Sequence, residues 1–344
     1  MMQTEFHLPA DFIRRLQAIV PDNVYEACLA SFSQPSKPCI RVNSLKGEPK
    51  EILTQLATLG VTLSPVNWLA NSYQLAHQNK TILSQSNLHE QGLIYFQNLS
   101  SMVPALHLAP QAHETILDLT AAPGSKTLQI ATLMKNTGWI SAVENIKSRF
   151  FKLKDNIKTQ GATNVHTYLM DGALVWRKCP EHFDRVLLDA PCSTESRFQL
   201  NQPASYAYWS ERKIKEMATK QRKLIYSAVQ SLKPGGTLIY STCSFAPEEN
   251  EAIIHAILHK FPQALTVEAI ELPFTNWQAG LSQWKKKSYN PQVMLSRRIL
   301  PTDGMEAFFI CKLKKTESTI DSSTKNKWGK RRTTLRNEQT KRHH

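Results

Sequence analysis

Two cysteines, Cys192 in DAPCST and Cys243 in YSTCSFAPEENE, are the residues of this chain best suited to covalent chemistry. Each comes just after a short apolar run, VLLDA or TLIYS, that is typical of a buried strand. The carboxyl ends of parallel strands meet at one edge of a sheet, where α/β proteins bind their ligands. We therefore expect the two thiols to face one pocket. Such a pair suits chemistry that makes a covalent bond to a substrate and then breaks it.

Acidic residues end three of the predicted strands at the same edge. Glu144 ends WISAVEN, Asp171 ends VHTYLMD and Asp189 ends FDRVLLDA. An acid at such a position accepts hydrogen bonds from ribose hydroxyls, although capping the following helix is an alternative role for each one. The Pro-Gly turn of LDLTAAPGSKT lets the backbone approach a ligand closely, but the chain has no G-x-G-x-x-G motif. This combination predicts S-adenosylmethionine, an adenosyl ligand without a pyrophosphate, rather than NAD.

Strands and helices alternate from residue 115 onward, from TILDLT through GTLIYSTC to the final EAFFICKLKK. This alternation predicts a doubly wound α/β fold with a mostly parallel sheet. The chain before it mixes helical and strand-like segments, and HEQGLIYFQNLSSMVPALHLA is predicted to be a linking helix. We predict a small N-terminal α+β domain over residues 1–92, the doubly wound domain over 93–315, and a basic, disordered tail over 316–344.

The formal net charge of the 344-residue chain is +14, and much of it lies at the C-terminal end. From Lys312 to His344 there are eleven Lys or Arg and three Asp or Glu, so this segment carries +8 and the remainder +6. An excess of this size predicts a polyanionic partner, nucleic acid in preference to an anionic membrane. The alternative is a solvated tail that has no specific partner.

Six scattered cysteines without a C-x-x-C pair are typical of a reduced, intracellular protein, so we predict a cytoplasmic location. No apolar run approaches the length of a membrane span, and no membrane partner is expected. Glu251, His255 and His259 recur at helical spacing. With no further ligand group in view, they predict a solvated helix face, and we expect no metal site.

The motifs LDLTAAPGSKT, LLDAPCST and YSTCSFAPEENE resemble those of the Sun/Nop family of S-adenosylmethionine-dependent RNA cytosine carbon-5 methyltransferases. RVNSLK, YFQNLSSM and EAFFICKLKK also resemble family segments, so the match extends over about residues 35–315. The resemblance implies a Rossmann-like class I methyltransferase with a small N-terminal RNA-binding domain. It also implies RNA as the partner, ribosomal RNA in preference to transfer RNA. We expect a monomer.

The resemblance implies a role for each matching residue. Cys243 is the expected nucleophile, Cys192 helps to release the product, and Asp189 lies between the cofactor and the target base. Glu144 is expected to hold the ribose and Asp171 to lie beside the adenine, with Arg149 also in the cofactor site. The loop around the methionine part of the cofactor is expected to contain Thr120, Ala121, Ala122, Pro123, Gly124, Ser125 and Lys126.

The chemistry of cytosine explains why such an enzyme needs thiols. Carbon 5 is a poor nucleophile, but addition of a thiolate to carbon 6 makes carbon 5 enamine-like and divides one hard step into two easier ones. A base must then remove the carbon-5 proton before the thiolate leaves. A DNA-type cytosine methyltransferase, in which Cys192 would attack, is one alternative. A non-catalytic RNA-binding factor on the same fold is the other.

Three further observations concern the fit to RNA. Arg41 and Asn43 have two possible roles, contact with RNA or satisfaction of polar groups at a strand end. The family usually continues the PCS motif with glycine, whereas this chain has Thr194 and Glu195, which predict a stiffer and more acidic loop. Ala307 stands where the family usually has a glycine before the last strand.

Overall fold

The computed structural model describes residues 7–34 and 36–320. Its N-terminal part begins with two helices and continues into a small sheet with three more helices. These elements are α1 (Ala10–Ile19), α2 (Asp22–Ala30), β1 (Cys39–Val42), α3 (Pro49–Thr58), β2 (Leu63–Pro65), β3 (Ser72–Leu75), α4 (His77–Ser84), α5 (Asn87–Glu90) and β4 (Ile94–Phe96).

The small sheet is antiparallel, with the strand order β2-β3-β1-β4. Ile52 and Leu56 lie one turn apart on α3 and are buried in the same cluster as Ile40 and Ile94 of the sheet. Helices α1 and α2 do not join this cluster. They pack instead against the large domain, where the rings of Phe12 and Phe198 lie 4.9 Å apart.

The segment predicted to be one linking helix is a strand followed by a helix, so that prediction was wrong. Ile94–Phe96 pairs with β1, and a helix, α6 (Leu99–Leu108), begins only after Asn98. The Asn98 side chain accepts a hydrogen bond from the backbone N–H of Ser100 (2.9 Å), which caps the helix. Pairing with a distant strand decides the conformation of this apolar segment, and its own periodicity does not reveal that partner.

The large domain is the doubly wound α/β domain that the alternation predicts. Its helices are α7 (Ser125–Leu133), α8 (Lys147–Gln160), α9 (Glu211–Ser231) and α10 (Glu251–Lys260). Its strands are β5 (Thr115–Asp118), β6 (Trp139–Glu144), β7 (Val165–Leu169), β8 (Phe183–Asp189), β9 (Leu232–Thr242), β10 (Leu265–Glu268), β11 (Trp277–Ala279), β12 (Gln283–Trp284), β13 (Lys287–Ser288), β14 (Arg297–Ile299) and β15 (Phe308–Lys315).

Strands β7, β6, β5, β8 and β9 lie side by side in that order and are parallel. Successive residues of β8 enter different hydrophobic clusters, Val186 and Leu188 one cluster and Leu187 the other. Both faces of the sheet are therefore buried at its centre, which explains why the central strands are apolar runs rather than alternating ones, whereas the edge strand β7 is partly exposed.

The final strand β15 forms as predicted but is antiparallel to β9, and β14 and β11 extend the sheet beyond it. The prediction that Glu251, His255 and His259 form a solvated face of α10 was wrong for Glu251. Glu251 is fully buried, and its carboxylate accepts hydrogen bonds from Nε and Nη2 of Arg298 on β14, both 2.6 Å. Strands β11 and β14 are short, so the sequence pattern does not show that α10 is covered on the side of Arg298. Among the described residues, no helix is long and apolar enough to cross a membrane.

Candidate active site

The loops after β8 and β9 bring the two thiols together at the carboxyl edge of the sheet. The sulfur atoms of Cys192 and Cys243 lie 3.3 Å apart, although 51 residues separate them in the chain. Both residues line a cavity of about 400 Å³, here called the thiol cavity, that extends to the ends of β6 and β7. The described cysteines are all free thiols, so this contact is not a disulfide.

The surroundings of the two thiols shift their pKa values in opposite directions. The hydrogen bond with Cys192 lowers the pKa of Cys243, and the Arg197 guanidinium lowers it further, against the effect of burial. The same hydrogen bond, followed by burial, raises the pKa of Cys192 well above its usual value. The directions of these shifts favour Cys192 as the donor of the S–H and Cys243 as the sulfur that ionises first.

The other end of the thiol cavity contains the acids that end β6 and β7. Glu144 is buried, and its Oε1 accepts hydrogen bonds from the backbone N–H groups of Asn145 (2.9 Å) and Ile146 (2.8 Å). Asp171 is exposed, lines the cavity and caps the short 3-10 helix Gly172–Arg177 through Ala173 N–H (2.9 Å). Asp171 therefore caps the 3-10 helix and lines the thiol cavity at the same time.

A second cavity, of about 360 Å³, lies between the small sheet and the large domain and is here called the interdomain cavity. Four residues line both cavities and so form the boundary between them: Thr120, Ala122, Arg149 and Asp189. The segment Tyr95–Asn98 lines the interdomain cavity from the N-terminal side, and Ala121, Pro123, Ser125 and Lys126 line it from the loop after β5.

The loop after β5 is thus divided between the two cavities. Thr120 and Ala122 reach the thiol cavity, whereas Gly124 lines neither cavity. Gly124 precedes the first residue of α7 with φ of 113°, a backbone conformation that side chains other than glycine's rarely adopt. Arg149 holds this loop from α8, because its guanidinium donates to the Ala122 carbonyl oxygen (2.6 Å) and lies 3.3 Å from Glu144 Oε2.

Asp189 is held in place at the boundary. Its Oδ2 is 2.6 Å from Nζ of the buried Lys126, and its Oδ1 accepts a hydrogen bond from Ser241 Oγ (2.8 Å). Nζ of Lys126 also donates to Ser101 Oγ (2.7 Å). The carboxylate therefore has a fixed orientation, and Lys126 contacts Asp189 rather than lining the thiol cavity.

Sequence reasoning missed two charged residues at the interdomain cavity. Arg197 follows the PCS loop, and its Nε is 3.7 Å from Glu306 Oε2, which precedes β15. Arg197 lies near the nucleophile candidate because its neighbour Ser196 is bonded to the Cys243 loop. The backbone N–H of Ser196 donates to the Cys243 carbonyl oxygen (3.1 Å). Arg197 lies four residues after the end of the PCS motif, and that position is a signal that reading the motif alone overlooks.

Two roles were considered for Arg41 and Asn43, contact with RNA and satisfaction of polar groups at a strand end. The structure shows the second. Both are buried; Arg41 donates to Gln97 Oε1 (2.8 Å) and to the Ser125 carbonyl oxygen (3.2 Å). Asn43 donates to the carbonyl oxygens of Gly92 and Gln160, both 2.8 Å. They connect the small sheet to the loop after β5 and to α8.

The prediction that Glu195 makes its loop more acidic was wrong, because Glu195 is only 2% exposed. Its carboxylate accepts hydrogen bonds from the backbone N–H groups of Phe245 (2.8 Å) and Ala246 (3.0 Å), which follow Cys243. Thr194 is exposed and has φ of 56°, a left-handed conformation that favours glycine. The loop tolerates threonine there at some conformational cost, and the acid inside it joins the two thiol loops.

A doubly wound, mostly parallel sheet with acids at its strand ends beside a cavity is the architecture of Rossmann-like methyltransferases. Comparison with known proteins specifies the family. Residues 105–314 match the family described as 16S rRNA methyltransferase RsmB/F, and residues 8–99 match the N-terminal domain of 16S rRNA methyltransferase RsmF. The chain belongs to this RsmB/F family, so the resemblance to Sun/Nop-type enzymes is confirmed, and the chain is an enzyme.

Two relatives are each named ribosomal RNA small subunit methyltransferase F. The protein from Vibrio parahaemolyticus is 35% identical over 333 residues, which is 96% of this chain and 68% of the relative. The protein from Pectobacterium carotovorum is 37% identical over 320 residues, 92% of this chain and 64% of the relative. The chain thus spans about two thirds of the length of these relatives.

Solved structures of similar fold come from Pyrococcus horikoshii. A methyltransferase homolog protein has a TM-score of 0.72 at 27% identity, with 90% of this chain and 100% of that chain covered. NSun6, solved with SFG, has a TM-score of 0.75 at 23% identity, with 90% and 98% covered. These structures support the Rossmann-like fold with its additional N-terminal part.

Proposed function

We propose that this enzyme transfers a methyl group from S-adenosylmethionine to carbon 5 of a cytosine in small-subunit ribosomal RNA, through a transient covalent bond to Cys243. The observation that carries the chemistry is the 3.3 Å contact between two thiols whose pKa values move in opposite directions. The RNA class is supported by the family match and by the names of the relatives.

The thiol cavity fits S-adenosylmethionine in size and in chemistry. Its volume of about 400 Å³ is in the usual range for small-molecule sites. The Glu144 and Asp171 carboxylates can accept hydrogen bonds from ribose hydroxyls and an adenine amino group, and Leu119, Ile146 and Leu224 offer apolar surface to a base. When bound, this cofactor supplies a methyl group on a positively charged sulfur.

The target base is proposed to enter from the interdomain cavity. Asp189 and Arg149 lie on the boundary, so a cytosine there would have the cofactor on one side and the interdomain opening on the other. Tyr95 and its neighbours belong to the N-terminal match and line the opening, which supports an RNA-recognition role for the domain predicted over residues 1–92 and its immediate continuation.

Attack begins with Cys243 as the thiolate. Its sulfur forms a bond to carbon 6, and the electron pair displaced from the 5,6 double bond makes carbon 5 the nucleophile that takes the methyl group. The charge that develops on the ring needs a nearby group to offset it. The Asp189–Lys126 pair is positioned to do so, because it can supply a proton or a hydrogen bond to the ring nitrogen and the exocyclic amine.

Release requires the second thiol. Once Cys243 is bonded to carbon, it no longer carries the negative charge that keeps the proton on Cys192. The pKa of Cys192 then falls, its proton passes to solvent water in the cavity as the net proton that the reaction releases, and its thiolate can remove the carbon-5 proton. The electrons of that C–H bond restore the double bond while the bond from carbon 6 to sulfur breaks, which returns Cys243 as a thiolate.

The test is direct detection of the product. Purified enzyme, S-adenosylmethionine and unmodified small-subunit RNA, free and in assembled subunits, should yield 5-methylcytosine at one position by bisulfite sequencing. Transfer RNA from the same cells is the control substrate and should remain unmethylated. Methylation of transfer RNA alone, or of an atom other than carbon 5, would contradict the proposal.

A further inference from the structure

Directly behind the two thiols lies a buried group of two serines and two glutamates, here called the Ser–Glu cluster. Ser193 and Ser244 each follow a thiol in the chain, Glu195 lies in the loop of Cys192, and Glu249 precedes α10. Glu195 is 2% exposed and Glu249 is fully buried. The reaction proposed above uses none of these four side chains.

Hydrogen bonds join the four side chains in a continuous network. Ser193 Oγ contacts Glu249 Oε1 at short range and Ser244 Oγ at 3.0 Å. Ser244 Oγ is also 2.9 Å from Glu249 Oε1 and 3.0 Å from Glu195 Oε2. The network thus contains four close contacts between oxygen atoms: three in series, Ser193–Glu249–Ser244–Glu195, each of which needs a hydrogen to be favourable, and the Ser193–Ser244 contact that closes a triangle with Glu249.

Two ionised carboxylates would leave this network short of hydrogens. The serine hydroxyls supply only two, and a carboxylate supplies none. A third hydrogen, placed on Glu249 Oε1, completes a directed chain in which Ser193 donates to Glu249, Glu249 donates to Ser244, and Ser244 donates to Glu195. Two buried negative charges that share one serine oxygen would otherwise repel each other in a medium of low dielectric.

We propose that Glu195 and Glu249 are positioning residues that hold one proton between them, and that this proton keeps the loops of Cys192 and Cys243 in contact. The cluster joins the loops from both sides. Glu249 Oε2 accepts from Ser193 N–H (2.9 Å) on the Cys192 loop, and Glu195 Oε2 accepts from Phe245 and Ala246 N–H on the Cys243 loop.

Burial raises the pKa of both glutamates, and the hydrogen-bond donors and charges around them favour the proton on Glu249 and the charge on Glu195. Glu195 also accepts from Trp209 Nε1 (2.8 Å), and the positive charge of Arg15 on α1 acts on it. Glu249 has only two N–H donors, from Ser193 and from the Gln221 side chain (2.9 Å) on α9. Burial, followed by the charge of Glu195, raises the pKa of Glu249 to about 7.

Within the part of the chain that the structure describes, the remaining charged and titratable groups around Glu249 do not supply it with a cation. On its own segment, Glu248 pairs with Arg15 and Glu251 pairs with Arg298. Tyr240 on β9 donates its hydroxyl to the Glu249 backbone carbonyl (2.6 Å), and Cys192 faces Glu249 from the other loop. The glutamate pair is thus compensated by a shared proton rather than by a direct ion pair.

The sign of the pH dependence follows from the direction of the shift. A raised pKa means that the folded protein holds a proton that the unfolded chain loses at lower pH. The stabilisation is complete below the ordinary glutamate pKa of about 4.3 and is lost as the pH rises through about 7. Above that pH the second negative charge weakens the contacts between the loops.

Infrared spectroscopy of the purified protein tests the proton itself and requires neither RNA nor cofactor. At pH 6 the wild type should show a protonated-carboxyl component that is missing from Glu249→Gln in the difference spectrum and that titrates away with a midpoint near 7. Glu248→Gln is the matched control and should leave the band unchanged. Burial raises the pKa of Asp118 to about 6, so a residual band from that carboxyl is expected in every variant. A wild-type band that Glu249→Gln leaves undiminished would overturn the proposal.

Glu195→Gln provides an independent check if Glu249→Gln folds poorly. Removing the charge of Glu195 should shift the midpoint of the Glu249 band to lower pH, whereas a merely structural contact would leave it in place. An unchanged midpoint in Glu195→Gln would also overturn the shared proton.

The positioning role rests on the proposed function and has its own readout. Gln at position 249 keeps a neutral donor, so Glu249→Gln should stay within about threefold of wild-type kcat at pH 7 and lose less activity above pH 8. Glu249→Ala should lose about tenfold or more in kcat with KM little changed. Equal losses in both variants would refute positioning, while a normal infrared band in an enzyme that never methylates RNA would refute only the proposed function.

Discussion

The loops after β8 and β9 contain the same dipeptide, Cys-Ser, at equivalent ends of neighbouring parallel strands, yet their thiols differ. Cys243 has its pKa lowered by a hydrogen bond and by Arg197, whereas Cys192 has its pKa raised by the same hydrogen bond and by burial. The residue type is therefore insufficient to assign a role. The two sides of one S–H···S contact and the position of one guanidinium distinguish the proposed nucleophile from the proposed base.

The largest effects on activity are expected when each thiol is removed in turn. Cys243→Ala should abolish methylation and form no covalent protein–RNA species, because attack on carbon 6 is lost. Cys192→Ala should still attack and methylate but fail to eliminate, so the enzyme should stall as an adduct. Denaturing electrophoresis with labelled RNA measures both outcomes.

The double variant is the control for the order of events. Since attack precedes release, it should behave like Cys243→Ala. The reversed pattern, with adducts from Cys243→Ala and none from Cys192→Ala, would show that Cys192 attacks as in the DNA-type alternative. That result would contradict the proposed mechanism but not the description of the fold.

A second change tests the electrostatic difference without touching either sulfur. Arg197→Ala should raise the pKa of Cys243, because a cation that favours the thiolate is lost, while Cys192 changes little. Activity on the acidic limb of the pH profile should shift to higher pH, and alkylation of Cys243 by iodoacetamide should slow at neutral pH. Arg197→Lys keeps the charge and should retain most of the wild-type profile; an equal shift in both variants would argue against a charge effect.

A third change separates the thiol end of the cavity from the nucleoside end. Glu144→Ala should weaken S-adenosylmethionine binding by about 1–3 kcal/mol, the range for losing a hydrogen bond to a charged group. The thiol contact lies at the other end of the cavity, so alkylation of Cys243 should not change. Calorimetry gives the affinity, and an unchanged value would remove Glu144 from the cofactor site.

The parallel sheet could be predicted from the sequence because short strand-like runs, most of them apolar, alternate with helical segments from β5 to β9. The antiparallel strands β10, β11 and β14 could not, since each has only three or four residues and depends on partners distant in sequence. The same limit applies to the site. Cys192 and Cys243 stand out by motif, whereas Arg197 and Glu249 acquire their roles only through the approach of two loops.

The smallest expected effect concerns the C-terminal tail, most of which lies outside the described residues. Residues 321–344 contain eight Lys or Arg and two Asp or Glu, a net charge of +6. Sequence-independent attraction to phosphate should make the salt dependence of RNA binding steeper in the full chain than in a chain ending at Ile320. That end point keeps the hydrogen bonds of Thr316 and Thr319 to the large domain.

Filter binding over a range of salt concentrations measures this slope, and a full-length variant with its tail Lys and Arg replaced by Gln is the matched control for length. Because the attraction acts on RNA as a whole, wild type and Cys192→Ala should lose the same fold of affinity when the tail is removed. The tail would then change how often RNA arrives but not which thiol attacks. Equal slopes for full and shortened chains would show that the tail does not contact RNA. A shortened Cys192→Ala enzyme that forms no adduct at saturating RNA would show that the tail acts on the chemistry itself.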